Sequence, residues 1–405
     1  MDSNVCDLVV IGGGAAGVFC AINYAEFNPG SRIIILEAGV KPLGKVRVSG
    51  GGRCNVTHAC FDPNELIQYY PRGNKELLGP FNRFGPAETI EWFSQHNVEL
   101  KTEADGRMFP ISNSSETIIN CFIQELEKNK ITLNCNSRAL SFNLDSDNLW
   151  RITTNKQQFK TRNLFVASGS DNRIWQNLSA LNHSIINPVP SLFTFNVVEK
   201  DITSLQGIAI KNVLLKIVDT KLNSEGPLLI THWGLSGPAV LKLSAWGARE
   251  LHDKNYSFKL SVNWTGMEHN NIQESLILCT KNSAKKLVCN LSPLDLPSRL
   301  WKFLCERAEI NNNLQWINMS TTDFNKLSKV LTEDNYSIHG KSTFKEEFVT
   351  AGGIELKEIN FKKFESKILP GLYLAGEVLN IDALTGGYNF QAAWTGAYLA
   401  ASSML

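Results

Sequence analysis

Residues 7–17, DLVVIGGGAAG, decide the fold class of this chain. They begin with a short apolar run rich in β-branched residues, which is typical of a parallel strand buried on both faces. Gly12, Gly14 and Gly17 follow at the spacing G-x-G-x-x-G, and the apolar residues after them recur at helical spacing to about Phe27. The segment therefore predicts a strand, a tight turn and a helix.

Each glycine of this spacing has a physical task. The first permits the tight turn, the second lets the backbone approach a pyrophosphate, and the third lets helix and strand pack closely. The N-terminus of the helix favours the negative charge of the phosphates. The alternative is a glycine-rich turn that serves strand-to-helix packing alone.

A second apolar run, residues 32–36, ends at Glu37. A carboxylate at this place can accept hydrogen bonds from both hydroxyls of an adenosine ribose. Together with the fingerprint, this acidic residue predicts a dinucleotide site. Because Glu37 disfavours a 2′-phosphate, NAD and FAD are the two candidates.

The C-terminal segment distinguishes between these cofactors. Residues 370–377, PGLYLAGE, predict a turn and a strand that ends in Glu377, and residues 385–390, TGGYNF, open a helix. Glu377 could accept a hydrogen bond from a ribityl hydroxyl, and the helix N-terminus could direct N–H groups at the N1/C2=O edge of a flavin. NAD has no use for such a second site, so the segment favours FAD. The alternative is a closing strand and helix whose glycines serve packing.

The middle of the chain indicates an interrupted domain. Residues 131–165 contain short alternating runs that predict a strand followed by a β-meander, and residues 163–170, NLFVASGS, predict a strand that ends in small residues close to a ligand. Prolines at 188 and 190 mark a boundary, after which short strand-like runs appear. Residues from about 271 to 332 are predicted to be helical, and the chain returns to the first domain near residues 349–353.

A second glycine triplet lies in residues 48–55, VSGGGRCN. It could be another phosphate loop, a thiol active site or a surface turn. Because it lacks the following helix of a fingerprint, we predict that it lets the chain pass beside an extended FAD, with Arg53 neutralising charge and Asn55 hydrogen-bonded to the cofactor. Cys54 has no C-x-x-C partner and is predicted to be a buried inert thiol, while a covalent flavin link through it stays open.

The composition bounds the partners. Lys and Arg total 40 against 39 Asp and Glu, without a block of like charges, so neither nucleic acid nor an anionic membrane is expected as a partner. The nine scattered cysteines argue against a disulfide scaffold and a zinc site, and we predict no metal. The sequence shows no signal-peptide pattern and no apolar stretch of the ~18 residues that a membrane span needs. We expect a cytoplasmic monomer or homodimer with a small-molecule substrate.

Six motifs in one order carry a family resemblance over essentially the whole chain. They are VVIGGGAAG with Glu37, SGGGRCN, GRMFP, THWGLSGPAVL, AGGI and GLYLAGEVLNIDALTGGYNFQAAWTGAYLA. In this order they resemble the bacterial flavoproteins described as NAD(P)/FAD-dependent or aminoacetone-oxidase-like oxidoreductases. The resemblance implies an α/β fold, in which a glutathione-reductase-type FAD-binding Rossmann domain with a β-meander is interrupted by an insert with β-barrel and helical parts.

The resemblance and the local patterns together give expected boundaries and contacts. The FAD-binding domain is expected at residues 1–190 and 349–405, and the insert at 191–348, with its barrel at about 191–266 and its helical part at about 267–340. The expected FAD contacts are Gly12, Gly14, Ala15, Ala16, Gly17, Glu37, Ala38, Lys45, Gly51, Gly52, Arg53, Cys54, Asn55, Ala139, Ala167, Ser168, Gly169, Gly376, Glu377, Gly386, Gly387, Tyr388, Asn389 and Gln391.

With FAD in place, the predicted activity is that of an FAD-dependent oxidoreductase that transfers hydride between a small organic substrate and flavin N5. His232 is the acid/base candidate, against the alternative of a structural histidine. Arg107 could hold an anionic or carbonyl group of the substrate, against the alternative of a surface salt bridge. FAD takes the single fingerprint, so NAD(P)H as electron donor would bind transiently.

Two other functions compete with this prediction. One is a flavoprotein without turnover, acting as a redox sensor or as a partner in RNA modification. The other is a plain NAD dehydrogenase, which the C-terminal motif disfavours.

Overall fold

The computed structural model describes residues 5–342 and 349–404, and the chain divides into two compact units. Unit 1 comprises Met1–Ser191 and Lys345–Leu405, and unit 2 comprises Leu192–Phe344. Within the described ranges, no helix has the length and apolarity that crossing a membrane requires.

Unit 1 contains the chain termini. Its strands are β1 (Val5–Ile11), β2 (Ile33–Leu36), β3 (Thr57–His58), β4 (Leu100–Thr102), β5 (Arg107–Pro110), β6 (Thr132–Asn134), β7 (Ala139–Leu144), β8 (Trp150–Thr154), β9 (Gln158–Val166), β10 (Ile185–Ser191), β17 (Val349–Ile354), β18 (Ile359–Asn360), β19 (Glu365–Ser366) and β20 (Leu372–Leu374). Its helices are α1 (Ala15–Phe27), α2 (Gly44–Gly52), α3 (Pro63–Leu66), α4 (Asn74–Phe81), α5 (Pro86–Gln95), α6 (Ser115–Lys128), α7 (Asn172–Ala180) and α14 (Tyr388–Ala401).

Unit 2 is built from the middle of the chain. Its strands are β11 (Thr194–Val197), β12 (Ala209–Ile217), β13 (Asn223–Ile230), β14 (Gly234–Ser236), β15 (Ser257–Asn263) and β16 (Asp334–Ser342). Its helices are α8 (Lys200–Thr203), α9 (Pro238–Trp246), α10 (Ala248–Asp253), α11 (His269–Asn282), α12 (Ser298–Arg307) and α13 (Thr321–Thr332).

The main sheet of unit 1 has the order β18-β19-β20-β9-β1-β2-β6 along its path. β1 runs parallel to β2 on one side and to β9 on the other, and β20 is parallel to β9. The apolar residues Leu8, Val9 and Val10 of β1 are fully buried, as expected for a strand covered on both faces. The predicted Rossmann-type fold is confirmed.

The meander lies on the same sheet. β7 pairs with β8 and β8 pairs with β9, both antiparallel, so the chain returns to the centre of the sheet through β9. The strand before the meander, β6, is parallel to β2. The predicted order of a strand followed by a meander is therefore confirmed.

The strands of unit 2 form a closed barrel in the order β11-β14-β13-β12-β15-β16. Inward-facing side chains of these strands share one apolar core with the helices α11, α12 and α13, including Leu215, Val262, Leu276, Leu304 and Leu327. Closure of the barrel leaves none of these strands as an unpaired edge.

One boundary differs from the prediction. The helical part is expected to reach about residue 340, but α13 ends at Thr332 and Asp334–Ser342 is β16, which pairs with β15 and β11. Asp334, Tyr336 and Ile338 are buried and alternate with more exposed residues, which is the period of a strand. The barrel therefore takes its last strand from the segment after the helices.

Candidate cofactor site

The first glycine triplet forms the turn between β1 and α1. Gly12 has φ +109°, and a Cβ added there would lie 2.3 Å from the carbonyl oxygen of Ala167. A Cβ at Gly17 would lie 1.9 Å from the carbonyl oxygen of Gly12. Both distances are too short for a side chain, so these two positions require glycine. The close packing at Gly12 holds the turn against the end of β9.

Gly14 differs from its neighbours because a Cβ there would meet no heavy atom within 4 Å. It is the N-cap residue of α1, and no side chain caps this helix. The N-terminal N–H groups of α1 therefore begin beside open space, which is the arrangement that binds phosphate.

Glu37 is held beside this turn. One carboxylate oxygen accepts the N–H of Gly13 at 2.8 Å and the other accepts the N–H of Gly39 at 2.6 Å. The loop also contains Ala38, and its backbone meets the segment that leads into the meander: Ser137 donates its N–H to the carbonyl of Glu37 at 2.8 Å. Ala139, at the start of β7, thus lies two residues beyond a direct contact with the Glu37 loop.

The C-terminal ends of β1, β9 and β20 meet at one edge of the sheet. Ala167, which follows β9, donates its N–H to the carbonyl of Ile11 at 2.8 Å, and Ser168 and Gly169 continue from it. A Cβ on Gly169 would lie 3.6 Å from the carboxylate of Glu377, and one on Gly376 would lie 3.5 Å from the Cβ of Ala16. Glu377 is ion-paired with Lys45. The edge of a parallel sheet at this end is where ligands of such folds bind.

The second triplet lies at the end of α2 and departs from helical geometry. Gly50, Gly51 and Gly52 have φ of +58°, +69° and +84°, and a Cβ on Gly51 or Gly52 would meet no heavy atom within 4 Å. The next regular element is β3 rather than a helix. The triplet is a left-handed turn and does not form a second fingerprint.

Arg53 and Asn55, which follow this turn, are both engaged by protein groups. Arg53 pairs with Glu103 at 2.5 Å, and its guanidinium lies 3.9 Å from the ring centroid of Phe109. Asn55, with its amide oriented to satisfy both ends, donates to the carbonyls of Met108 at 3.2 Å and Thr57 at 3.0 Å.

The oxygen of the Asn55 amide accepts the N–H of Gly387 at 3.0 Å. The sequence predicts that this side chain bonds the cofactor directly. The structure gives both N–H groups of the amide to backbone carbonyls, so Asn55 joins the segment after the second triplet to the start of α14, and its contact with the cofactor stays a prediction.

Cys54 is fully buried and has φ +60°. Burial raises the pKa of its thiol to about 12, so the thiol stays protonated near neutral pH. Its predicted burial is confirmed.

The N-terminus of α14 is fixed by several contacts. Gly387 is the N-cap with φ +91°, and a Cβ there would lie 2.5 Å from the carbonyl oxygen of Thr57. A Cβ on the preceding Gly386 would lie 2.6 Å from the ring of Tyr388. Asn389 closes the loop before the helix, since its amide exchanges two 3.0 Å hydrogen bonds with the backbone of Ala383.

Gln391 is buried one turn further along α14. Its oxygen accepts the hydroxyls of Thr57 at 2.6 Å and Thr89 at 3.0 Å, and its nitrogen donates to Thr395 at 3.1 Å. Its amide is therefore occupied within the core, and Gln391 positions α14 against β3.

Sequence reasoning named Tyr388 but missed the two aromatic side chains that stack with it, His58 and Tyr69. We call His58, Tyr69 and Tyr388 the aromatic wall. The rings of Tyr69 and Tyr388 are stacked, with a centroid distance of 4.3 Å and an interplanar angle of 11°. The rings of His58 and Tyr388 are also stacked, with a centroid distance of 4.8 Å and an interplanar angle of 23°. The pair Tyr69-Tyr70 was the available sequence signal for an aromatic cluster, but the local sequence does not predict that these residues contact α14.

The segment that carries Tyr69 is joined to the loop before α14 at several points. Leu384 donates its N–H to the carbonyl of Tyr69 at 3.0 Å, and the hydroxyl of Tyr70 donates to the carbonyl of Tyr388 at 2.6 Å. Arg72 forms an ion pair with Asp382, which is fully buried. This buried pair holds the two segments in one arrangement.

The two predicted catalytic residues lie in different units. Arg107 begins β5 of unit 1 and pairs with Asp105 at 2.7 Å and Glu103 at 3.2 Å, which is the alternative of a surface salt bridge. His232 is exposed in the turn between β13 and β14 of unit 2, where its ring lies 4.3 Å from that of Trp233. The expected FAD contacts all belong to unit 1.

Fold and site geometry together define a Rossmann-type flavoprotein fold with a barrel-containing second unit. Residues 6–403 match the family model described as HI0933-like protein Rossmann domain. The chain belongs to this family, and the predicted class of FAD-dependent oxidoreductases is confirmed at the level of family and fold.

Two curated relatives and one solved structure align with nearly the whole chain. The chain is 28% identical over 412 residues to a ribosomal RNA dihydrouridine synthase of Escherichia coli, covering 98% of each chain. It is 25% identical to a 3-dehydro-bile acid delta(4,6)-reductase of Clostridium scindens, covering 96% of this chain and 97% of that one. Its fold is similar to that of a 3-ketosteroid-delta4-(5alpha)-dehydrogenase of Rhodococcus jostii, with 13% identity, a TM-score of 0.51, and coverage of 98% and 97%.

Proposed function

We propose that this protein is an FAD-dependent reductase of carbon–carbon double bonds that are conjugated to a carbonyl group. The observation that carries the cofactor assignment is the open, uncapped N-terminus of α1 at Gly14, beside the carboxylate of Glu37. The reaction class is supported by the names of the relatives, which describe reductions of this kind.

The residues present fit FAD along its length. The N-terminus of α1 would hold the pyrophosphate and Glu37 the adenosine ribose. Glu377, beside Gly376 and Lys45, would face the ribityl chain, and the N-terminus of α14 at Gly387 would lie at the flavin. The left-handed turn at Gly51 and Gly52 has open space beside it, which suits a chain that passes along an extended cofactor.

When bound, FAD supplies a hydride from its reduced ring, and the protein supplies position and a polar environment. The single fingerprint is taken by FAD, so NAD(P)H is proposed to reduce it by transient binding. The structure carries no second fingerprint turn in its described residues.

The first substrate class to test is a uridine in ribosomal RNA. Dihydrouridine is uridine with two hydrogens added across a ring double bond that is conjugated to a carbonyl, and a relative with that activity in its name aligns over 98% of this chain. The expectation from net charge that nucleic acid is no partner is therefore not supported. A small conjugated ketone is the second candidate, because the relative from Clostridium scindens is named for a 3-dehydro-bile acid.

The test uses purified protein with its FAD. We expect a flavin spectrum, bleaching by NADH or NADPH without oxygen, and recovery of the oxidised spectrum on adding an in vitro transcribed ribosomal RNA or a 3-oxo bile acid with conjugated double bonds. Mass spectrometry of nucleosides or steroid then checks the gain of two hydrogens.

Two results would contradict the proposal. The first is a colourless protein that takes up no FAD on reconstitution. The second is a flavin that NADH or NADPH reduces but that neither the ribosomal RNA nor the bile acid reoxidises. This result would favour the alternative of a redox sensor.

A further inference from the structure

We infer that Tyr69 donates the proton that accompanies hydride transfer in this reductase. This assignment rests on the proposed function. Addition of two hydrogens across a conjugated double bond needs a hydride at one carbon and a proton at the other, so the site needs an acid. An arginine does not release its proton in proteins, which removes Arg107 from this role.

Tyr69 is fixed at the loop that opens α14. Its carbonyl accepts the N–H of Leu384 at 3.0 Å, and its ring is stacked on Tyr388, the first residue of the helix. Tyr70 and Arg72 hold the same segment through Tyr388 and Asp382. A phenol anchored in this way loses little side-chain freedom when a substrate binds.

Tyr388, the stacked neighbour of Tyr69, keeps its proton. Tyr388 is 2% exposed, and burial together with the neighbouring Tyr69 raises its pKa well above the usual range, so Tyr388 remains a donor. Its hydroxyl can therefore donate to the oxygen of its stacked neighbour Tyr69. Such a donor would stabilise the phenolate that forms when Tyr69 gives up its proton.

The other groups of this region are poor proton donors. Nε2 of His58 lies 3.0 Å from the carbonyl oxygen of Asp105, so the ring hydrogen is on Nε2 and is donated to that oxygen. Burial also lowers the pKa of the His58 ring, which favours its neutral form. Its Nδ1 then carries no proton and has no hydrogen-bond partner among the described residues. Tyr70 is buried, and its hydroxyl already donates a hydrogen bond to the carbonyl of Tyr388. Tyr69 is the partly exposed phenol of the group.

The step balances in atoms and electrons. The substrate carbon remote from the carbonyl takes a hydride from reduced FAD, and the carbon next to the carbonyl forms its new C–H bond with the proton of Tyr69. The double bond becomes a single bond, the flavin is left oxidised, and the Tyr69 phenolate takes a proton from water. A reduced nicotinamide restores the reduced flavin.

The experiment compares Tyr69→Phe with the wild-type protein, both reduced with dithionite without oxygen. Reoxidation is followed with ferricyanide, which takes electrons and needs no proton on carbon, and with the ribosomal RNA transcript or the 3-oxo bile acid. We expect Tyr69→Phe to slow reoxidation by the organic substrate by about 10²- to 10⁴-fold, the usual contribution of a general acid. Its flavin spectrum and ferricyanide rate should match the wild type.

Two further variants separate chemistry from folding. Tyr398→Phe is the matched control, because Tyr398 stacks on Phe84 at 4.1 Å outside the aromatic wall, and all its rates should match the wild type. Tyr388→Phe keeps the stack but removes the donor to Tyr69, so we expect slower substrate reduction than in the wild type. In Tyr69→Phe the carbon has to be protonated from solvent, so its substrate reaction should keep a solvent deuterium isotope effect at least as large as that of the wild type.

The outcomes distinguish the two proposals. Substrate rates of Tyr69→Phe equal to those of Tyr398→Phe would overturn the role of Tyr69 and leave the reductase function in place. Loss of the ferricyanide reaction as well would show a structural role and also overturn it. A wild-type protein that reduces neither substrate would overturn the proposed function, and the proton donor with it.

Discussion

The two glycine triplets of this protein need glycine for different physical reasons. In the first, Gly12 is required by crowding, since a Cβ there would collide with the backbone of Ala167. In the second, Gly51 and Gly52 have open space beside them and are required by their left-handed backbone. Gly12 thus belongs to a packed junction, whereas Gly51 and Gly52 belong to a free turn.

This difference predicts how mutations at the two triplets rank. A collision with backbone atoms cannot be relieved by moving a side chain, whereas an alanine in left-handed conformation costs about 1–2 kcal/mol. Substitutions at the crowded positions should therefore be far more damaging than those in the free turn.

The largest effect is expected for Gly17→Ala. Its Cβ would lie 1.9 Å from the carbonyl oxygen of Gly12, so α1 has to move away from β1. We expect loss of the cooperative thermal transition and of bound FAD, measured by circular dichroism and the flavin spectrum. A melting temperature within a few degrees of the wild type would contradict the crowded-junction interpretation.

The matched control for this change is Gly79→Ala. Gly79 lies inside α4, and a Cβ there meets no heavy atom within 4 Å. Alanine in a helix interior is favoured over glycine by roughly 0.5–1 kcal/mol, so this variant should be as stable as the wild type or slightly more so.

The next effect is expected for Gly14→Ala, which separates binding from folding. Gly14 has φ −86° and ψ −167°, which alanine adopts freely, and open space surrounds its Cβ position. The fold should persist while the methyl group occupies the approach to the pyrophosphate. Fluorescence titration of the apoprotein should show FAD affinity weakened about 10-fold or more, which corresponds to about 1.4 kcal/mol. Unchanged affinity would place the pyrophosphate elsewhere.

A smaller effect is expected for Gly51→Ala. Its φ of +69° is left-handed, so we expect a loss of about 1–2 kcal/mol, measured by denaturant unfolding, with the flavin still bound. Gly51→Asn should cost less, because asparagine tolerates this conformation. If Gly51→Ala weakened FAD affinity as much as Gly14→Ala, the turn itself would have to contact the cofactor.

The smallest effect is expected at Cys54. Its thiol is buried and its pKa is raised to about 12, so it should stay unmodified by a thiol reagent at about pH 8 in the native protein, while the partly exposed Cys135 reacts first. Denaturation should release FAD from the wild type and from Cys54→Ser alike. Flavin that stays with the denatured wild-type chain and leaves the variant would show a covalent link.

The local sequence was sufficient to predict the part of the site formed by the first βαβ unit. The run before Gly12, the glycine spacing and Glu37 lie within one βαβ unit, and the structure forms the strand, turn and helix that they predict. Gly376 and Glu377 likewise follow a predicted strand. Hydrophobic period and glycine position encode burial and turns, and these depend on near neighbours in the chain.

The part of the site around the start of α14 was decided by the tertiary structure. Asn55 contacts Gly387, and Tyr69 stacks on Tyr388, although a large part of the chain separates each pair. The last barrel strand, β16, likewise falls where the sequence predicts the helical part. A local pattern states that a residue is buried or lies in a turn but does not name its partner. The partner is fixed only when distant segments pack together, and that packing joins Asn55 to the start of α14.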